Sequence, residues 1–198
     1  KARLKDRIID AVKRVAGAYC FIFLSRTKMF AIRDPYGFRP LSLGKLGKGW
    51  VIASETCAFD LVGAKFVRDV NPGEMLIFED GKEPQSIQVF PATPKKCIFE
   101  YVYFARPDSL LFGKSAYSAR IEMGRALSKE LPVEADMVIP VPDSGVPAAL
   151  GYSKESNIPF ELGIIRNHYV GRTFIEPAQE IRDLKVKMKL SPIKELIE

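Results

Sequence analysis

The residues best suited to chemistry lie in the second half of this 198-residue chain. Met137 to Val141 is an apolar run that ends in Pro142-Asp143-Ser144-Gly145-Val146-Pro147, a strand–loop–helix pattern. In an open α/β sheet, ligands sit beyond the carboxyl ends of the strands. The Asp143 carboxylate and Ser144 hydroxyl are therefore placed to meet a magnesium ion or a phosphate oxygen. Both residue types also commonly cap a following helix, and spacing alone leaves the two readings side by side. The second feature is residues 166–190, RNHYVGRTFIEPAQEIRDLKVKMKL, long and polar with weak helical periodicity. A stretch of this length outside clear regular structure tends to be functional or disordered. Its Arg166, Arg172, Arg182, Lys185, Lys187 and Lys189 could clamp a polyanion such as pyrophosphate when the loop closes. A solvated surface loop would have the same composition.

Other chemistries find little support. His168 is the single histidine, and no CxxC pair accompanies it, which argues against a zinc site. Nothing around it resembles a nucleophile elbow, so it reads as a solvent-facing loop residue. Cys20, Cys57 and Cys97 are far apart and odd in number, which argues against a disulfide framework and for a reducing, cytoplasmic setting. Cys20 and Cys57 read as buried small residues.

The elements that must position these groups change character along the chain. Leu4, Ile8, Ile9, Ala11, Val12 and Val15 recur at helical spacing and predict an amphipathic helix over 3–16, ended by Gly17. Strands are expected at 18–24 and 29–32 around a polar turn, and at 41–43, 50–53, 74–78 and 87–90. Ser54-Glu55-Thr56-Cys57 looks like a cap leading into a short helix at 58–62. After the polar, proline-containing stretch 91–96, the pattern predicts a helix at 118–131 and a buried strand at 136–141. A helix at 147–153, a strand at 160–165 and a helix opened by Ser191-Pro192 follow. This alternation argues for an α/β second domain.

Composition bounds the function. Hydrophobic residues make up 47% and charged residues 27%, the balance of a globular protein, and no apolar run is long enough to span a bilayer. The net charge of +6 comes from the two ends: residues 1–17 hold six basic and two acidic groups, and residues 182–198 hold five and three. A neutral body with basic ends is not a nucleic-acid-binding face. No nucleic acid and no membrane are expected.

Several runs follow one another in an order that carries a resemblance. They are Arg33-Asp34-Pro35-Tyr36-Gly37-Phe38-Arg39-Pro40-Leu41, Ala53-Ser54-Glu55 and Arg68-Asp69-Val70-Asn71-Pro72-Gly73-Glu74. They continue with CIFEYVYFARPDS from Cys97 to Ser109, Val141-Pro142-Asp143-Ser144, and Tyr169-Val170-Gly171-Arg172-Thr173-Phe174-Ile175. Together they strongly resemble the glutamine phosphoribosylpyrophosphate amidotransferase family, over essentially the whole chain. The resemblance implies an α+β and α/β protein: residues 1–92 as the later part of an Ntn-hydrolase glutaminase sandwich, and 97–198 as the earlier part of a type I phosphoribosyltransferase domain. It implies that ammonia released from glutamine is added to C1 of phosphoribosylpyrophosphate, the first committed step of purine biosynthesis, in a homo-oligomeric enzyme.

Carried over residue by residue, Ser144 resembles a magnesium and substrate-site residue, with Asp143 beside it. Tyr169 and Arg172 fall in the fixed motif of a closing loop, and Lys189 matches a basic residue facing the pyrophosphate. Cys97 stands where cluster-bearing members place one ligand of a [4Fe–4S] cluster; members without a cluster can carry the same cysteine, and one thiolate holds no cluster, which needs about four. The nucleophilic cysteine of the family is expected upstream of Lys1 and its acidic phosphoribosylpyrophosphate loop downstream of Glu198, so no catalytic residue is assigned within the chain and it is expected to be an inactive fragment. His168 stands where the family more often shows Arg. A nucleotide-sensing module of the same fold is the alternative. The glutaminase half of another amidotransferase would fit residues 1–90 only.

Overall fold

Two α-helices and two antiparallel sheets build most of the first of two compact units, residues 1–116, in a computed structural model that describes residues 3–197. In chain order they are α1 (Leu4–Val12), β1 (Cys20–Leu24), β2 (Lys28–Arg33), β3 (Ser42–Leu46), β4 (Gly49–Ala53), α2 (Cys57–Val62), β5 (Lys65–Asp69), β6 (Glu74–Glu79) and β7 (Gln85–Gln88). A π-helical turn, Glu100–Phe104, and the ribbon β8 (Leu110–Leu111) with β9 (Lys114–Ser115) complete the unit. The larger sheet has the order β1-β2-β6-β7 and the smaller one β4-β3-β5.

Strand periodicity explains the layering. Phe30 and Ile32 of β2, with Met75 and Ile77 of β6, point to the face where Ile8 and Val12 of α1 pack. Ala31, Leu76 and Phe78 point the other way, toward Leu41, Leu43 and Val70 and the partly buried Trp50 and Ile52. Both faces of the central pair are thus covered, which is why β6 reads as an unbroken apolar run rather than an alternating one. Each such side chain contributes about 2 kcal/mol of burial before entropy is counted. The stretch 91–96 lies within this unit: the N–H groups of Thr93, Lys95 and Cys97 donate to the carbonyls of Pro35, Tyr36 and Phe38.

The second unit, residues 117–198, takes up α3 (Ala116–Glu130), α4 (Val146–Ser156), β10 (Ile164–Arg166), α5 (Gln179–Lys189), β11 (Leu190–Pro192) and α6 (Lys194–Ile197). Where α3 and α4 cross, Gly124 and Gly151 let the backbones touch: an added Cβ on Gly124 would lie 1.9 Å from the Ala148 oxygen, and one on Gly151 2.0 Å from the Ile121 oxygen.

Three expectations change here. The strands foreseen at 136–141 and 160–165 reduce to one parallel bridge, Val138 with Phe160, plus the short β10. Pro140 and Pro142 have no N–H to give a ladder. Within the polar 166–190 stretch stands an 11-residue helix, α5, and its return strand β11 pairs antiparallel with β10. Ser191 and Pro192 belong to that strand, and the last helix opens at Lys194. No helix among the described residues is long and apolar enough to cross a membrane.

Candidate anion site and the other motif residues

In the second unit, the bridge at Val138 leads into a turn that delivers Asp143 and Ser144 just before α4. The turn is closed by Gly145 N–H to the Val141 carbonyl (3.2 Å) and Val146 N–H to the Asp143 carbonyl (3.2 Å). Gly145 is the N-cap of α4, and no side chain caps it. The capping explanation for Asp143 and Ser144 therefore does not describe this turn. The Asp143 carboxylate accepts instead from Arg166 Nη1 at 2.5 Å. The Ser144 hydroxyl is exposed.

The 166–190 segment leaves and returns through a narrow neck, where Arg166 pairs with Leu190 across β10 and β11. Asn167 N–H donates to the Lys189 carbonyl (2.7 Å), and Asn167 Oδ1 accepts from Tyr169 N–H (3.0 Å). Lys189 Nζ donates to the Gly171 carbonyl (3.0 Å). Arg182 holds the Glu176 carbonyl (2.7 Å), and Lys185 pairs with the Glu176 carboxylate. Arg172 and His168 are exposed, and Tyr169 projects fully into solvent. The structure thus groups the expected residues in two sets, Asp143 with Ser144 in one turn and Lys189 against Gly171 next to Arg172. Arg166 is the side chain that joins the neck of the second set to the first. Asn167, which organises that neck, carries no sequence signal beyond the turn preference of asparagine.

The motif residues of the first unit are largely structural. Arg33, buried, donates to three carbonyls: Nε to Arg39 (2.8 Å), Nη1 to Val70 (2.6 Å) and Nη2 to Gly37 (2.9 Å). Asp34, also buried, accepts from Tyr36 N–H (2.9 Å). Glu74 is buried and accepts from both Arg68 Nη groups (2.8 and 2.6 Å), Asn71 N–H (2.7 Å) and Ser86 Oγ (2.6 Å). Burial alone would push its carboxyl up, but Arg68, Ser86 and Asn71 outweigh it and hold the group below the ordinary range. Glu100 is the opposite case: burial raises it, the Arg39 guanidinium beside it offsets only part, and Glu55 adds to the rise. The cap expected at 54–57 turns out to be a clamp. Glu55 accepts from Arg106 N–H (2.9 Å) and Ser109 Oγ (2.7 Å), and Thr56 Oγ1 from Leu110 N–H (2.8 Å).

Cys57 is buried, while Cys20 is half-buried and its thiol is pushed up to about 11, chiefly by burial. Cys97 is half-buried. No three His, Cys, Asp or Glu side chains come together as a metal cluster among the described residues. Cys97 is thus a single thiolate where an iron–sulfur cluster needs about four, so these residues by themselves do not fit one. The Ser144 hydroxyl is a hard oxygen donor of the kind magnesium accepts alongside substrate phosphates and water, so that turn fits a shared ion rather than an all-protein cage.

Residues 2–60 match the glutamine amidotransferase domain family. Over 194 residues the chain is 54% identical to the amidophosphoribosyltransferase of Mycobacterium tuberculosis, covering 98% of this chain and 37% of that protein. It is 52% identical over 206 residues to the amidophosphoribosyltransferase of Rhizobium etli, covering 100% of this chain and 41% of the relative. The glutamine phosphoribosylpyrophosphate amidotransferase from B. subtilis, solved in complex with ADP and GMP, is similar over 100% of this chain and 44% of its own, at 47% identity and a TM-score of 0.91. The chain spans well under half the length of these relatives.

Proposed function

We propose that this chain, homologous to amidophosphoribosyltransferases over 98% of its length, is part of an enzyme that makes 5-phosphoribosylamine from phosphoribosylpyrophosphate and glutamine-derived ammonia, in the cytoplasm and as a homo-oligomer. Residues 1–92 are assigned to the glutaminase part, whose nucleophilic cysteine the resemblance puts before residue 1. Residues 97–198 are assigned to the transferase part, although 97–116 pack in the first compact unit. The homologues favour this reading over a nucleotide-sensing module without chemistry.

The observation that carries it is the turn at 142–145. It presents an exposed Ser144 hydroxyl and ties its own carboxylate to the neck of a cationic segment. When ammonia attacks C1, negative charge builds on the departing pyrophosphate. Ser144 would donate a hydrogen bond to the diphosphate, while Arg172 and Lys189, with Tyr169 as a wall, would meet it from the segment. Charge-assisted bonds of this kind act most strongly where charge develops in the transition state. Ser144 would also be the residue that holds a magnesium ion, which when bound would supply neutralisation of part of that charge. Closure of the segment would keep water from competing with ammonia. A [4Fe–4S] cluster would need ligands beyond Cys97.

The test is Ser144→Ala in the intact enzyme. Removing one hydrogen bond to a charged group costs about 1.5–3 kcal/mol, so kcat/KM for phosphoribosylpyrophosphate should fall at least tenfold while glutamine hydrolysis falls less than twofold. Equal losses in both activities, or none, would refute the assignment of this turn.

A further inference from the structure

Asp143 and Arg166 are 23 positions apart, yet they make the contact that connects the anion-site turn to the neck of the 166–190 segment. Arg166 is two-thirds buried, its Nη1 is 2.5 Å from the Asp143 carboxylate, and its Nε is buried without an acceptor among the described residues. The guanidinium is therefore anchored by its aspartate. Arg166 also ends β10 opposite Leu190, the residue at which the segment returns. Asn167, the next residue, bonds the Lys189 carbonyl, and Lys189 in turn bonds Gly171. Arg166 thus belongs to one strand of the neck and is paired with the other. We propose that Asp143 is a positioning residue: acting through Arg166, it sets the pose and mobility of the neck, and so couples the state of the anion-site turn to the segment that carries Tyr169, Arg172 and Lys189.

This rests on the transferase reading for its kinetic arm only. The physical ground is that residues in one ion pair have non-additive effects when both are changed, whereas independent residues do not. The experiment uses the intact enzyme with Asp143→Asn, Arg166→Gln, the double variant and the conservative Arg166→Lys. Hydrogen exchange without ligand is followed over residues 164–171 and 186–192. Each single neutral variant should speed exchange there about tenfold, the double variant should be no faster than either, and Arg166→Lys should restore most of the protection. In the transferase assay the single variants should lower kcat/KM for phosphoribosylpyrophosphate about fivefold with glutamine hydrolysis changed less than twofold.

Multiplying rather than saturating exchange effects, or no effect at all, would overturn the coupling. So would a lysine that restores nothing. Saturating exchange effects in an enzyme with no phosphoribosyl transfer would leave the pair intact and remove the functional reading instead. If Asp143→Asn fails to fold, Arg166→Lys and Arg166→Gln still decide between a pair and a spacer.

Discussion

Two buried glutamates in the first unit show how differently one side chain can titrate. Glu74 receives four hydrogen bonds, two of them from Arg68, and its carboxyl is held low. A carboxyl with a lower pKa in the folded than in the unfolded state stabilises the fold above the ordinary range near 4.3, and that contribution is lost as pH falls through the depressed value. Glu74→Gln should therefore cost about 2 kcal/mol at pH 7, and the gap to the parent protein should close on acidification. Glu100 is raised by burial, so holding it ionised becomes a cost as pH rises past the ordinary range. Glu100→Gln should cost clearly less than Glu74→Gln at pH 7. Urea denaturation of both variants between pH 3 and 7 checks this; equal costs at neutral pH, or a Glu74 gap that widens in acid, would contradict it. The sequence marks Glu74 only as the end of a motif. That its role is structural follows from Arg68, Asn71 and Ser86 converging on it, which no spacing rule reveals.

At the scale of elements, the crossing of α3 and α4 is fixed by two glycines that sit 27 positions apart in sequence and against each other's helix in space. Overpacking of this kind typically costs 1–3 kcal/mol or more, and here the obstacle is backbone oxygen rather than a side chain that can turn away. Gly151→Ala should destabilise the second unit by about 3 kcal/mol and lower its melting temperature by roughly 10 °C or more. Calorimetry reads this directly, and a shift below 2 °C would mean the helices separate easily. What the sequence shows of these elements follows from where each pattern is generated. The hairpins of the first unit are legible because turn residues and short apolar runs are local signals. The reduction of 136–141 to a single parallel bridge at Val138 and Phe160 is legible only when the missing N–H groups of Pro140 and Pro142 are weighed above the apolarity of the run. Helix α5 is hidden for another reason: Ile181, Leu184 and Met188 form an apolar stripe, but all are exposed, and the charged residues between them dominate the composition.

For the whole molecule the question is which polar stretch is pliable, because 91–96 and 166–190 look alike in composition. They differ in how their backbones are held. Thr93, Lys95 and Cys97 each give their N–H to the turn at 35–38, so the first stretch is laced to the unit it belongs to, although its lysines are exposed. In the second, residues 168–175 expose Tyr169, Arg172, Phe174 and Ile175, and only Thr173 among them is buried. Proteases cut where the chain can open locally at little cost. Trypsin should therefore cleave the intact enzyme at Arg172, and chymotrypsin at Tyr169 or Phe174, well before trypsin reaches Lys95 or Lys96. On the function proposed above, phosphoribosylpyrophosphate with magnesium should slow the cuts at 169–174 at least fivefold, since an anion gathering Arg172 and Lys189 would make local opening costlier. Mass spectrometry of a time course separates the outcomes. Early cleavage at Lys95 or Lys96 would mean that this stretch behaves as a free linker despite its hydrogen bonds. Cleavage at 169–174 unaffected by the substrate would mean that the segment does not close, and the water-excluding role assigned to it would have to be abandoned.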